Sequence, residues 1–339
     1  MAVHLIALVD SPDHVCCRYR LRAFEPHFVR AGHSLELRSL PKNFWDRIHI
    51  GSSLQNADAV IVQRKLLSTW QVWALRRRVK RLIFDIDDAV WLRDSYAKRG
   101  HISFRRMNRF RAIARVCDAV IAGNSFLAEA ANTWAITPCV EVIPTCVDES
   151  AYPVANHQRV GNDAQLVWIG SSSTLRGLEL TRPLLEEIGQ SIPGLNFKII
   201  CDRFPSFDHL RIIECPWTPE RETAELAAAD IGLSWVPDDP WSRGKCGLKV
   251  LQYMAAGLPV VANPVGVQAE MVRHGETGFL ATTPGEWIKA VRTLAFDPVL
   301  RQRMGEAGRA VLEAEFSVRA GAERWMRLLN SFRNQRMIA

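Results

Sequence analysis

The sequence predicts an α/β protein made of two doubly wound, parallel-sheet domains of Rossmann type facing a cleft. Three observations carry that expectation. Short apolar or β-branched runs alternate with stretches of helical periodicity along the chain. The alternation stops at a polar stretch, 151–165, and then restarts. The length of 339 residues and the hydrophobic content of 48% suffice for two separate cores.

In the first half, the runs at 3–9, 34–37, 57–62, 82–86, 119–122 and 140–143 are short and rich in Val, Ile and Leu, as strands are. Between them, 19–31, 66–79, 101–116 and 125–134 carry apolar residues at spacings of three and four and read as helices. Alternation of this kind argues for a parallel, doubly wound sheet. The first domain is thus expected over 1–150 and the linker over 151–165. In the second domain, 166–317, strands are expected at 166–169, 196–201, 231–235 and 259–262, with helices at 175–192, 219–228 and 248–256. Helices at 284–295, 298–315 and 318–333 follow, and the segment 318–339 is expected to pack back on the first domain.

The most informative segment is 244–280. A turn from Gly244 to Gly247 opens a short apolar helix that Gly257 stops, and a buried strand follows. A second loop, Pro264 to Gly266, opens another helix bearing Glu270. The unpaired N–H groups at such starts carry partial positive charge and suit phosphate, and Lys245 and Lys249 add full charges. The implied ligand is a nucleotide diphosphate.

Charge is unevenly distributed. Residues 1–150 hold 22 Lys and Arg against 15 Asp and Glu, whereas 151–339 hold 21 of each, so the net charge of +7 belongs to the first half. Residues 64–115 alone hold fifteen basic residues against four acidic ones. Such a stretch reads either as a solvated helix face or as an attraction to an anionic membrane surface or a phosphorylated acceptor. No zinc-finger, helix-turn-helix or single-strand-binding signature accompanies the charge, so nucleic acid is not the expected partner. No run reaches the ~18 apolar residues of a membrane span, and the start reads as a strand rather than a signal peptide. The eight cysteines show no Cys-x-x-Cys pair and are expected as reduced thiols in a cytoplasmic protein, with a peripheral position at the inner membrane face as a further reading.

Two familiar classes are excluded. No Gly-x-Gly-x-x-Gly follows the first strand, which argues against a dinucleotide dehydrogenase, and Gly244-Lys245-Cys246 lacks both the earlier glycine and the hydroxyl residue of a phosphate loop. What the segment does resemble is the donor-binding core of the family 4, GT-B fold, retaining glycosyltransferases. The resemblance is carried by Tyr253-Met-Ala-Ala-Gly-Leu-Pro-Val-Val-Ala262, by Gly266 with Glu270, and by His274-Gly-Glu-Thr-Gly-Phe-Leu280. Ile143-Pro-Thr-Cys-Val-Asp148 with Tyr152, and Trp168-Ile-Gly-Ser-Ser-Ser-Thr-Leu-Arg-Gly177, resemble further family motifs in the same order. It implies transfer of a sugar from a nucleotide sugar to a glycan or lipid-linked acceptor, without cofactor or bound metal.

The same resemblance implies the site residues. Gly170, Ser171, Lys245, Gly247, Leu248, Gln252, Gly266 and Glu270 fall at donor-binding positions. Two positions that are usually glutamate are Gly244 and Gln252 here. Arg176 and Lys249 are the expected cations for the leaving diphosphate. Asp87 and Asp88, at the end of a parallel strand, are the expected carboxylates facing the sugar, while Asp85 has the plainer reading of a cap on the next helix. Asp85-Ile86-Asp87 also has the spacing of a metal-binding Asp-x-Asp, but without the domain pattern that goes with it. On the acceptor side, the loop from Asp10 to Arg20 offers Asp13, His14, Arg18 and Arg20, with His14 either a base or a solvated loop histidine.

Overall fold

The computed structural model describes residues 2–41, 54–136 and 139–336. Two compact units divide the chain. The first comprises 1–146, 239–246 and 318–339, and the second 147–238 and 247–317.

The first unit is built on a parallel six-stranded sheet with the order β2-β1-β3-β4-β5-β6. Its strands are β1 (His4–Val9), β2 (Ser34–Ser39), β3 (Ala59–Gln63), β4 (Leu82–Ile86), β5 (Ala119–Ala122) and β6 (Val140–Val142). Leu5, Ala7 and Val9 face one core while Ile6 and Leu8 face another, so β1 is buried on both sides. That is why parallel strands read as continuous apolar runs rather than as alternation. The helices are α1 (Val15–Arg20), α2 (Glu25–Arg30), α3 (Thr69–Arg76), α4 (Phe104–Val116) and α5 (Ser125–Asn132).

Where one helix was expected over 19–31, α1 and α2 are separated by a 3-10 turn, Arg22–Phe24. Leu21 leaves helical geometry at φ −132°, and Pro26 stands at the start of α2, where its missing N–H is harmless. Part of the expected loop, 10–20, is therefore helical.

The second unit carries a parallel sheet of order β12-β11-β10-β7-β8-β9. Its strands are β7 (Gln165–Ile169), β8 (Asn196–Cys201), β9 (Arg211–Pro216), β10 (Ile231–Ser234), β11 (Val260–Ala262) and β12 (Gly278–Leu280). The helix expected over 175–192 is two, α6 (Ser172–Leu180) and α7 (Arg182–Ser191). Pro183 cannot donate to the turn before it, so the chain breaks at Thr181 and restarts with the proline in the first turn. The edge strand β9 was not expected: only Ile212 and Ile213 mark it, in a polar surround. α8 (Glu222–Ala227) precedes β10. Next come α9 (Pro240–Arg243), whose residues belong to the first unit, α10 (Leu248–Ala255) and α11 (Gln268–Met271). α12 (Pro284–Phe296) and α13 (Pro298–Val311) complete the second unit.

The last helix, α14 (Val318–Arg336), lies in the first unit. Its Trp325 is fully buried, with ring centroids 6.4 Å from Phe24 and 5.7 Å from Phe28. Gly321 makes that approach possible, because a Cβ there would come within 2.7 Å of the Phe24 ring.

A buried charge cluster ties the second unit's linker to its sheet. Asp230 accepts from Arg159 at 2.7 Å and from the Gln165 amide at 2.9 Å, with His157 Nδ1 at 3.8 Å. Burial alone would raise this carboxyl, but His157, Arg159 and the Gln165 amide outweigh it and hold Asp230 below the ordinary aspartate value.

Two stability predictions follow from these contacts. Trp325→Ala should destabilise the first unit by about 3–5 kcal/mol, seen as a lower urea midpoint. Asp230→Asn should cost about 3 kcal/mol at neutral pH. A carboxyl lowered on folding stabilises above its unfolded value, near pH 4, and its contribution fades as pH falls through the folded value. The variant's loss should therefore shrink in acid; a loss constant from pH 7 to 3 would contradict the pairing.

Candidate functional site

In the second unit the strand order reverses between β7 and β10, since the chain moves from β7 to β8 and β9 on one side and then to β10 on the other. Open α/β sheets bind ligands outside the carboxyl ends of strands at such a point. The residues there are fixed by unusually close contacts. Tyr253 of α10 accepts from the Ile169 amide at 3.2 Å and donates to the Leu233 carbonyl at 3.1 Å, spanning the ends of β7 and β10. Burial pushes its phenol upward, so it remains a donor. Gly232 gives the ring its room, because a Cβ there would lie 2.4 Å from it.

Gly170 follows β7 and admits nothing larger: a Cβ would lie 2.3 Å from the Trp168 ring and 2.7 Å from Thr174 Oγ1. Ser171 then caps α6 in a reciprocal box with Thr174. Lys249 stands over the Trp168 ring, its Nζ 5.3 Å from the centroid, which places a cation of α10 beside the first loop. Gly247 takes the left-handed conformation at φ +66°, against Met271, whose sulfur would lie 2.6 Å from a Cβ. Having no side chain, Gly247 makes no cap hydrogen bond to the first turn of α10.

The loops after β10 and β11 are tied together by Asn263. Its Oδ1 accepts from the Val236 amide at 3.0 Å and its Nδ2 donates to the Val236 carbonyl at 2.7 Å. Gln268 donates to Asn263 and accepts from Ser234. Gly266 is left-handed at φ +56°, and Glu270 is exposed on the short α11.

The second unit thus brings Gly170, Ser171, Lys249, Gly247 and Leu248 to one strand end, with Gly266 on the neighbouring loop and Glu270 on α11 after it. Gln252 does not join them at the surface: it is buried and donates to the Tyr152 hydroxyl at 3.4 Å. Arg176 is exposed on α6.

The remaining expected residues belong to the first unit. Arg20 is not on an open loop; it is buried on α1, where its Nε donates to Asp85 at 3.1 Å and its Nη1 to the Ile143 carbonyl at 2.8 Å. Arg20 therefore does not face an acceptor as expected, because its charge is committed to Asp85. His14 caps α1, its Nδ1 accepting from the Cys16 amide at 3.2 Å. Asp13 is exposed beside Arg22 at 3.3 Å, and Arg18 stacks on Tyr19 at 4.6 Å.

Asp87 and Asp88 share Arg64, which lies 3.4 Å from Asp87 through Nε and donates to Asp88 through Nη2. Arg64 is non-glycine at φ +46°, a strained backbone that this pairing holds in place. Burial works against an ionised Asp87, but the Arg64 and Arg20 charges prevail and hold it below the ordinary range. Burial and the Asp87 charge together hold Asp88 above that range, against Lys245 and Arg64.

Lys245, expected as a phosphate cation, is 3.9 Å from Asp88. Asn124 secures the same segment by donating to the Gly244 carbonyl at 3.3 Å and the Lys245 carbonyl at 3.0 Å. Arg64 and Asn124 were missed in the sequence, where neither carries a motif. Tyr253 and Asn263 had a faint signal, as polar residues in otherwise apolar runs.

With this geometry in view, solved structures of similar architecture can be placed beside it. Sucrose-phosphate synthase of Thermosynechococcus elongatus superposes with a TM-score of 0.75 at 16% identity, over 98% of this chain and 99% of that one. HepE of Anabaena, solved with UDP and glucose, gives 0.69 at 14% identity, over 98% of this chain and 100% of that one. The chain has the GT-B glycosyltransferase fold. Residues 211–297 of this GT-B chain match the family model described as glycosyl transferases group 1, from β9 to the end of α12. A curated relative, the alpha-1,3/1,6-mannosyltransferase ALG2 of Rhizomucor pusillus, is 32% identical over 79 residues, which is 23% of this chain and 17% of that protein.

Lys249→Ala should weaken binding of a nucleoside diphosphate about tenfold while leaving the nucleoside nearly unchanged, measured by calorimetry. Equal losses for both would remove Lys249 from the phosphate contact.

Proposed function

We propose that the chain is a retaining glycosyltransferase that moves a sugar from a nucleotide-diphosphate sugar to a glycan or lipid-linked acceptor. The observation that carries this reading is the open start of α10, with Lys249 beside it, at the β7/β10 strand ends. Transfer places two developing negative charges on the departing diphosphate. Oriented amides and a nearby cation stabilise them most in the transition state, where the charge is largest. The amides after Gly247 and the ammonium of Lys249 supply that role, and Arg176 is a second cation for it. No metal enters this reading, since side chains and amides provide the positive charge.

Asp87 and Asp88 are engaged by Arg64 and Lys245, so their part is electrostatic rather than nucleophilic. A nucleotide sugar as the donor class is supported by HepE, whose structure holds UDP-glucose. The resemblance of residues 244–280 to the family 4 donor core supports retention as the stereochemical course.

Incubation with a panel of nucleotide sugars and acceptors should release nucleoside diphosphate with at least one donor, and Lys249→Ala should lower kcat/KM about a hundredfold. Tight nucleotide binding without release from any donor would instead favour a non-catalytic binding protein, in keeping with the neutral Gly244 and Gln252.

A further inference from the structure

We infer that the outer face of α3 and α4, with the loop before α4, is a surface that docks on an anionic lipid bilayer. α3 and α4 follow the neighbouring parallel strands β3 and β4, pack against each other and share one core through Val72, Leu75, Phe110 and Ile113. Arg109 of α4 also donates to the Leu66 carbonyl just before α3 at 3.3 Å. Their outward faces form one surface, and it is apolar in an unusual way. Phe104 is 82% exposed, Ile102 67%, Trp73 54% and Trp70 44%. Single exposed apolar residues are ordinary, but four large ones on adjacent elements mark an interaction site.

These side chains are held in place. Arg93 donates to the carbonyls of Arg99 and Gly100 at 3.2 Å and to that of Ile102, which fixes the loop carrying Ile102 and Phe104. Ser103 caps α4 behind them.

The charge on this surface is predominantly positive. Of the four acidic residues in 64–115, Asp85, Asp87 and Asp88 are engaged by Arg20, Arg64 and Lys245, which leaves Asp94 outside. Arg77, Lys98, Arg99, Arg105 and Arg115 are exposed around it. Aromatic rings that seat at headgroup depth, ringed by cations spread too widely for a single ligand, suit a fluid anionic surface. Attachment is to the surface only, for among the described residues no helix is long and apolar enough to cross a membrane.

The inference goes beyond the transferase reading and stands without it, because its test contains neither donor nor acceptor. The full chain is sedimented with vesicles of phosphatidylglycerol and phosphatidylcholine, or of phosphatidylcholine alone. It should partition onto the anionic vesicles and lose that partition progressively with salt. Lys98→Glu with Arg105→Glu, and separately Trp73→Ser with Phe104→Ser, should each reduce it about tenfold or more. Unchanged melting midpoints show that the variants are folded. Wild-type protein left in the supernatant at low salt overturns the inference, as does undiminished binding by both double variants. Concentration-dependent dimerisation abolished by Phe104→Ser, without vesicle binding, would assign the face to a second copy and likewise overturn it.

Discussion

A parallel sheet covered on both faces can hold charge in its middle only under strict conditions, and the Arg20 and Asp85 pair shows what those conditions are. Asp85 is inside β4 and fully buried, and it is tolerated because Arg20 meets it with several hydrogen bonds and Gln63 adds another at 3.3 Å. Arg20 stays protonated there, since burial disfavours its charge but Asp85 favours it more. Removing either partner would strand a charge in the core, at a cost of about 3–5 kcal/mol. The pair also positions its surroundings: it anchors α1 against the sheet and reaches the Ile143 carbonyl after β6. With Asp85 satisfied, Arg64 is available for Asp87 and Asp88 at the strand end, and Asp88 can engage Lys245. The acid-rich strand end is thus a neutralised network rather than a pair of open carboxylates.

At the β7 and β10 strand ends the second unit uses backbone rather than charge, its own buried charge cluster lying around Asp230. Its strand ends are occupied by glycines and amide groups, and each glycine is required by a close neighbour: the Trp168 ring at Gly170, Tyr253 at Gly232, Met271 at Gly247. The Tyr253 hydroxyl and the Asn263 amide satisfy the inward-facing backbone groups of β7, β10 and the loops beyond them. The start of α10 has a glycine, Gly247, in place of a capping side chain, and a helix start of that kind is where an anion is best accommodated.

Much of this was legible in the sequence. β8 has the bounds expected for it, and the glycine turn expected before α10 is present, with Gly247 left-handed at its start. The misses have physical causes. The break at Thr181 came from Pro183, which interrupts an otherwise continuous apolar stripe. β9 was invisible because an edge strand is half-exposed and its pattern is largely polar. Arg20 was read as a loop cation because its partner Asp85 is 65 residues away, beyond any local pattern.

The sequence alone determined what local chemistry can determine: two alternating α/β series, the excess of positive charge in the first half, and a glycine-shaped helix start in the second. These depend on residue spacing and backbone freedom, which are properties of neighbours along the chain. Only the tertiary structure decided which charges cancel. Lys245 and Lys249 look equivalent in the sequence, four residues apart, yet they belong to different compact units. One is engaged by Asp88 and the other rests on the Trp168 ring. Long-range pairing made that distinction, because a charge acts on whatever lies within a few ångströms of it, whatever the distance along the chain.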